Sequence, residues 1–118
     1  VVSPVVQALG WEVAFGLQIF PGGNSCGVPQ PALVPTLDGG NALMAALPPP
    51  DFAVSGSTPT ATALKQSYEV LLADPNVVAP TVILVTDGGV SAACGAPNTQ
   101  SSLVDIVTEA HDAAVATW

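Results

Sequence analysis

Apolar residues fall in short blocks along the chain, separated by clusters of Gly, Pro, Ser and Asn. The block WEVAFGLQIF, Trp11 to Phe20, is rich in β-branched and aromatic residues and is stopped by Pro21, Gly22 and Gly23, so it reads as a strand. Before it, Val5 to Leu9 reads as the last turns of a helix that Gly10 ends. After a loop from Asn24 to Pro31, Ala32 to Leu37 is a short strand that Pro35 confines to an edge. Asp38 stands where it can cap a helix from about Gly40 to Leu47, and Pro48, Pro49 and Pro50 end that helix.

The segment GSTPTATALKQSYEVLLAD carries the clearest helical period. Thr58 reads as its N-cap, Pro59 as its first helical residue, and Ala61, Leu64, Tyr68, Leu71 and Leu72 fall on one face. In TVILVT, residues 81–86, the apolar run shows no alternation, which predicts a central parallel strand covered on both faces. A polar loop follows from Asp87 to about Gln100. The last helix is predicted from Ser102 to about Ala116, with Leu103, Ile106, Val107 and Ala110 on a stripe and Asp105, Glu109 and Asp112 more exposed. This order of elements predicts an α/β fold, an open and mostly parallel sheet with helices on both faces, in a single domain over residues 1–118.

Composition narrows the function. A chain of 118 residues holds one domain's core and excludes large two-domain enzymes. Nine acids stand against one base, Lys65, so no phosphate-neutralising surface can form; nucleic acids and anionic membranes are excluded as partners. No apolar run approaches the ~20 residues that span a bilayer, so this segment is not expected to insert into one. Cys26 and Cys94 both lie in Gly-, Pro- and Ser-rich stretches. An even number of loop cysteines points to one disulfide and an oxidising compartment, with two unpaired thiols in a reducing one as the alternative. Neither has the CxxC spacing or the nearby His of a metal-holding thiolate.

In an open parallel sheet, function collects at the carboxyl ends of strands, and Asp87 follows the strand predicted to be most buried. Asp87-Gly88 also reads as a plain turn initiator, and Thr58 as a plain N-cap. A carboxylate at a strand end and a hydroxyl at a helix start, on one rim, are together hard ligands suited to Mg²⁺, Mn²⁺ or Ca²⁺.

GSTPTATAL, Gly56 to Leu64, followed after one helix by VILVTDGG, Val82 to Gly89, resembles the second and third motifs of the von Willebrand factor A domain. AFGLQIFPG, Ala14 to Gly23, is similar to that family's second strand. The resemblance implies a metal-ion-dependent adhesion site in which Thr58 and Asp87 take the family's threonine and aspartate positions. It implies an extracellular or cell-surface binding domain, with a divalent cation that engages an acidic side chain of a protein ligand. The family's first motif, Asp-x-Ser-x-Ser, has no match here, since no Asp precedes Asp38. A segment truncated on both sides, beginning within the first helix, is therefore expected, with weak metal binding at best. A metal-independent structural or assembly module of the same fold is the alternative. Parallel neighbours would place Cys26 and Cys94 on the same rim, and closing their ~70-residue loop would stabilise the fold by about 4 kcal/mol in the chain-entropy treatment.

Gly23-Asn24-Ser25-Cys26-Gly27 formally matches the GxSxG elbow of hydrolases, with Ser25, Asp105 and His111 in hydrolase order. The elbow needs a strand turning into a helix, and Val28-Pro29-Gln30-Pro31 cannot start one. No enzymatic activity is expected.

Overall fold

Gly10 follows the last residue of the first helix, Leu9, and a side chain would not fit there: an added Cβ would lie 2.9 Å from the Val6 carbonyl oxygen. The computed structural model describes residues 2–22, 24–52 and 55–118. Val1 and Gly23, which bear on the expected start of the chain, the strand stop and the GxSxG match, lie outside the described residues. Among the described residues, four α-helices and two small sheets make an α/β chain that divides into two compact units, residues 1–19 with 30–54 and residues 20–29 with 55–118.

The first unit contains α1 (Val2–Leu9), β1 (Phe15–Leu17), β2 (Leu33–Thr36) and α2 (Gly40–Ala46). The predicted ten-residue strand shrinks to three residues. Glu12 and Val13 donate their N–H groups to the Leu9 carbonyl at 2.9 and 2.8 Å, so a turn after α1 consumes the strand's beginning. β1 pairs antiparallel with β2, Phe15 opposite Thr36 and Leu17 opposite Leu33, with an irregularity between the two pairs. Pro35 sits at that irregularity and has no N–H to give the ladder. Val6 and Leu43 bury the facing sides of α1 and α2. Asp38 does not cap α2: Gly39 takes the N-cap position with no side-chain bond, while Asp38 has φ 56° and donates its N–H to the Gly10 carbonyl at 2.7 Å.

The second unit contains α3 (Thr60–Ala73), β3 (Thr81–Val82), a 3-10 turn (Ala92–Cys94), α4 (Gln100–Asp112) and β4 (Ala116–Thr117). Leu64, Tyr68, Ala110 and Val115 form its buried core, with Leu71, Val82, Leu84, Leu103, Ile106 and Val107 packed around them. The helical stripes of α3 and α4 are thus as the period predicts, except that Leu72 is half exposed at 50%. The Tyr68 hydroxyl and the Thr117 hydroxyl hydrogen-bond at 2.8 Å, tying α3 to β4.

The last helix stops sooner than predicted, and the cause is local. Ala114 adopts φ 63°, its N–H donates to the His111 carbonyl at 2.9 Å, and the Val115 N–H donates to the Ala110 carbonyl at 2.9 Å. This is the Schellman pattern, with buried Val115 and Ala110 making its usual apolar contact. The chain reverses there, and Ala116 enters a strand instead of continuing the helix.

β4 lies parallel to β3, with Thr81 opposite Ala116 and Val82 opposite Thr117. The ladder continues past the strand ends, since Leu84 N–H reaches the Trp118 carbonyl at 2.8 Å and Trp118 N–H reaches the Val82 carbonyl at 3.0 Å. TVILVT is covered on one face, not on both. Val82 and Leu84 pack on the core, whereas Ile83 and Val85 point away and are 73% and 87% exposed. Among the described residues, β4 is the neighbour with which β3 forms its sheet.

Candidate functional site

The helix α3 begins one residue later than its sequence suggests. Its N-cap position falls to Pro59, which has no side-chain donor or acceptor, so the Thr58 hydroxyl is not used to cap the helix. Asn98 takes over that task from the other side of the unit. Its Oδ1 accepts the Thr62 N–H at 3.1 Å and its Nδ2 donates to the Thr62 hydroxyl at 2.9 Å. Asn98 is 2% exposed, and both bonds are partly buried. Sequence reasoning missed this residue. Its signal is faint, an Asn between Pro97 and Thr99 and 36 positions from its partner.

Thr58 is thereby left at the meeting point of three loops. Its carbonyl accepts the Ser91 N–H at 2.9 Å. A Cβ added to Gly88 would lie 3.6 Å from the Thr58 hydroxyl oxygen, so the turn after β3 runs directly past that hydroxyl. The same turn is held from within: the Thr86 hydroxyl donates to the Gly88 carbonyl at 3.1 Å and accepts the Gly88 N–H at 3.3 Å. Asp87, at the tip of this turn, is exposed to solvent. The structure thus sets the backbone of Gly88, next to Asp87, beside the Thr58 hydroxyl; Asp87 lies five residues beyond β3 and Thr58 two residues before α3.

The third loop comes from residues 20–29. Asn24 organises it, accepting the Cys26 N–H on Oδ1 at 3.0 Å and the Gly27 N–H on its carbonyl at 3.2 Å. These bonds make Ser25 the tip of a tight turn, not the nucleophile of a strand-to-helix elbow. The Ser25 carbonyl accepts the Ser57 N–H at 2.8 Å. Gly56 makes this approach possible: it has φ +120°, and a Cβ there would meet the Ser25 Cα at 2.9 Å. Cys26 and Cys94 form a disulfide across 5.3 Å of Cα separation, linking this loop to the 3-10 turn that follows Ser91.

Chemically the rim offers one hydroxyl and one carboxylate, donors of the hardness that Mg²⁺, Mn²⁺ and Ca²⁺ prefer. Among the described residues, no three His, Cys, Asp or Glu side chains gather into a metal-holding group. The donors fit a hard cation in kind, but a firm site needs more of them. A separate open groove of about 270 Å³ runs along α4 and β4, lined by Val107, Thr108, His111, Val115 and Thr117. His111 is exposed there, in the last turn of α4. Comparison with protein-family models, with curated proteins and with solved structures returns no match to the chain.

Proposed function

We propose that the chain belongs to a partner-binding domain of the von Willebrand factor A type, with an incomplete Rossmann-like sheet, working outside the cell or on its surface. In this reading Thr58 and Asp87 are donors to a divalent cation, Mg²⁺ or alternatively Mn²⁺ or Ca²⁺, which attracts an acidic side chain of a protein ligand. The observation that carries the reading is the Gly88 turn lying against the Thr58 hydroxyl, which joins two motifs about thirty residues apart in sequence. Parallel pairing of β3 with β4 and the placement of α3 and α4 on that sheet support the fold side of the proposal. The Cys26–Cys94 disulfide supports an oxidising compartment. No helix among the described residues is long and apolar enough to cross a membrane.

A bound cation would supply a local positive charge on a protein whose net charge is −8, and so reverse the sign seen by an approaching carboxylate. With Thr58 and Asp87 as its protein donors and water completing the shell, affinity is expected to be weak. Calorimetric titration with Mg²⁺ and Mn²⁺ tests this. Heat in the millimolar range of metal that disappears in Asp87→Asn supports the reading, and no heat for either metal overturns it.

One observation favours a second reading, a metal-independent assembly module of the same fold. Ile83 and Val85 present bare apolar surface on the uncovered face of β3, as a strand awaiting a further layer would. Partner binding that survives a chelator, yet fails in Ile83→Lys, would select this reading over the first.

A further inference from the structure

We propose that the Cys26–Cys94 disulfide is a redox-controlled clamp that fixes the backbone of the Thr58 rim, and that a dithiol reductant opens it. The inference starts from a closed ring of links. Cys26 adjoins Ser25, whose carbonyl holds the Ser57 N–H; Ser57 adjoins Thr58, whose carbonyl holds the Ser91 N–H; and Ser91 accepts the Cys94 N–H at 3.0 Å. The disulfide from Cys94 to Cys26 closes the ring. The dipeptide Ser57-Thr58 is therefore gripped from both sides by single backbone hydrogen bonds whose far ends are joined covalently.

Opening the covalent joint would act on the rim without dissolving the unit. Among the described residues, none of the buried side chains of this unit's core lies within residues 20–29; they are supplied by α3, α4 and the approach to β4. The loop's own turns, built on Asn24, do not involve the sulfurs. Both cysteines are only partly buried, so an attacking thiolate can reach them. One thiolate of the external dithiol attacks a sulfur of the Cys26–Cys94 bond and forms a mixed disulfide, and its second thiolate displaces the protein sulfur. The S–S bond breaks, two electrons and two protons end on Cys26 and Cys94 as thiols, and the dithiol leaves as its own disulfide.

The Ser25 loop would then be kept near Ser57 by short-range contacts alone, while the unit as a whole would lose the stabilisation that the closed loop gave it through the unfolded chain. Local opening of the rim follows, while the helices stay closed. The consequence for binding rests on the proposed cation-and-partner reading; the clamp itself does not.

Amide hydrogen exchange, measured by NMR on the oxidised protein, on the protein held in dithiothreitol and on the double variant Cys26→Ser/Cys94→Ser, tests the clamp. Exchange of the Ser57 and Ser91 amides should rise at least about tenfold more than that of amides inside α3 and α4 in both opened forms. Unchanged exchange at Ser57 and Ser91 would overturn the clamp. So would a rise of equal size across α3 and α4, which would make the bond a global staple only. Adding Mg²⁺ to both redox forms separates the two proposals: exchange that responds to redox state but never to Mg²⁺ leaves the clamp standing and sinks the cation reading.

Discussion

Asn98→Ala removes the most informative single side chain in the second unit. Asn98 is 2% exposed and makes two bonds to Thr62, at 3.1 and 2.9 Å, so the substitution strips the first turn of α3 of its cap and leaves the Thr62 N–H without a partner. Losing a helix cap costs about 1 kcal/mol, and a shielded donor left unpaired costs about 1–3 kcal/mol. These overlap for the Thr62 N–H, so the combined loss, including the bond to the Thr62 hydroxyl, is about 2–3 kcal/mol. With a urea m-value of about 1–3 kcal/mol/M, the unfolding midpoint should fall by about 0.7–3 M, followed by far-UV circular dichroism with the disulfide intact. Asn98→Asp keeps the acceptor for the Thr62 N–H but buries a carboxylate at a 2% exposed position, so the favourable charge at the helix start and the desolvation cost oppose each other. Thr62→Ala in the Asn98→Ala background closes a double-mutant cycle for the hydroxyl bond. A loss below about 0.5 kcal/mol for Asn98→Ala would refute the assignment of Asn98 as the cap.

Three further outcomes follow from the same packing, all read as shifts in the urea midpoint. Ala114 holds φ 63° at the Schellman turn, where glycine is preferred, so Ala114→Gly should stabilise by about 0.5 kcal/mol after the extra unfolded-chain entropy is deducted. Thr60 is 2% exposed and its hydroxyl has no partner among the described residues, so Thr60→Val should be neutral or stabilising by up to about 1 kcal/mol. Tyr68→Phe gives up the 2.8 Å bond to Thr117 and should cost about 1 kcal/mol, less if Thr117 finds water.

The helices were legible because period and packing agree. Leu64 and Tyr68 in α3, and Leu103, Ile106, Val107 and Ala110 in α4, lie on the faces that their spacing assigns. Helix ends were less so, because they were decided by residues distant in sequence or by unexpected backbone conformations. Thr58 looked like a cap until Asn98, reaching from the loop before α4, took the role. Asp38 likewise looked like a cap, but its positive φ turns it toward the Gly10 carbonyl. Nothing local marks Ala114 as a left-handed residue, which hid β4 inside the predicted last helix. TVILVT has the composition of a strand covered on both faces, and composition cannot reveal that Ile83 and Val85 lack a covering layer here. At the site, the proximity of the two motifs was readable from their placement at a helix start and a strand end. The clamp through Ser25, Ser57 and Ser91 was not, because it is made of backbone groups that any residue carries.

The central claim is that Thr58 and Asp87 work together at one rim, and paramagnetic broadening of backbone amide signals by Mn²⁺ tests it most directly. Trace Mn²⁺ should broaden the amides of Ser57, Thr58, Asp87 and Gly88 first, with excess Mg²⁺ restoring them and Asp87→Asn abolishing the effect. Broadening that begins at other carboxylates, such as Asp105 and Glu109 on the exposed side of α4, and that leaves Thr58 and Gly88 sharp, would contradict it.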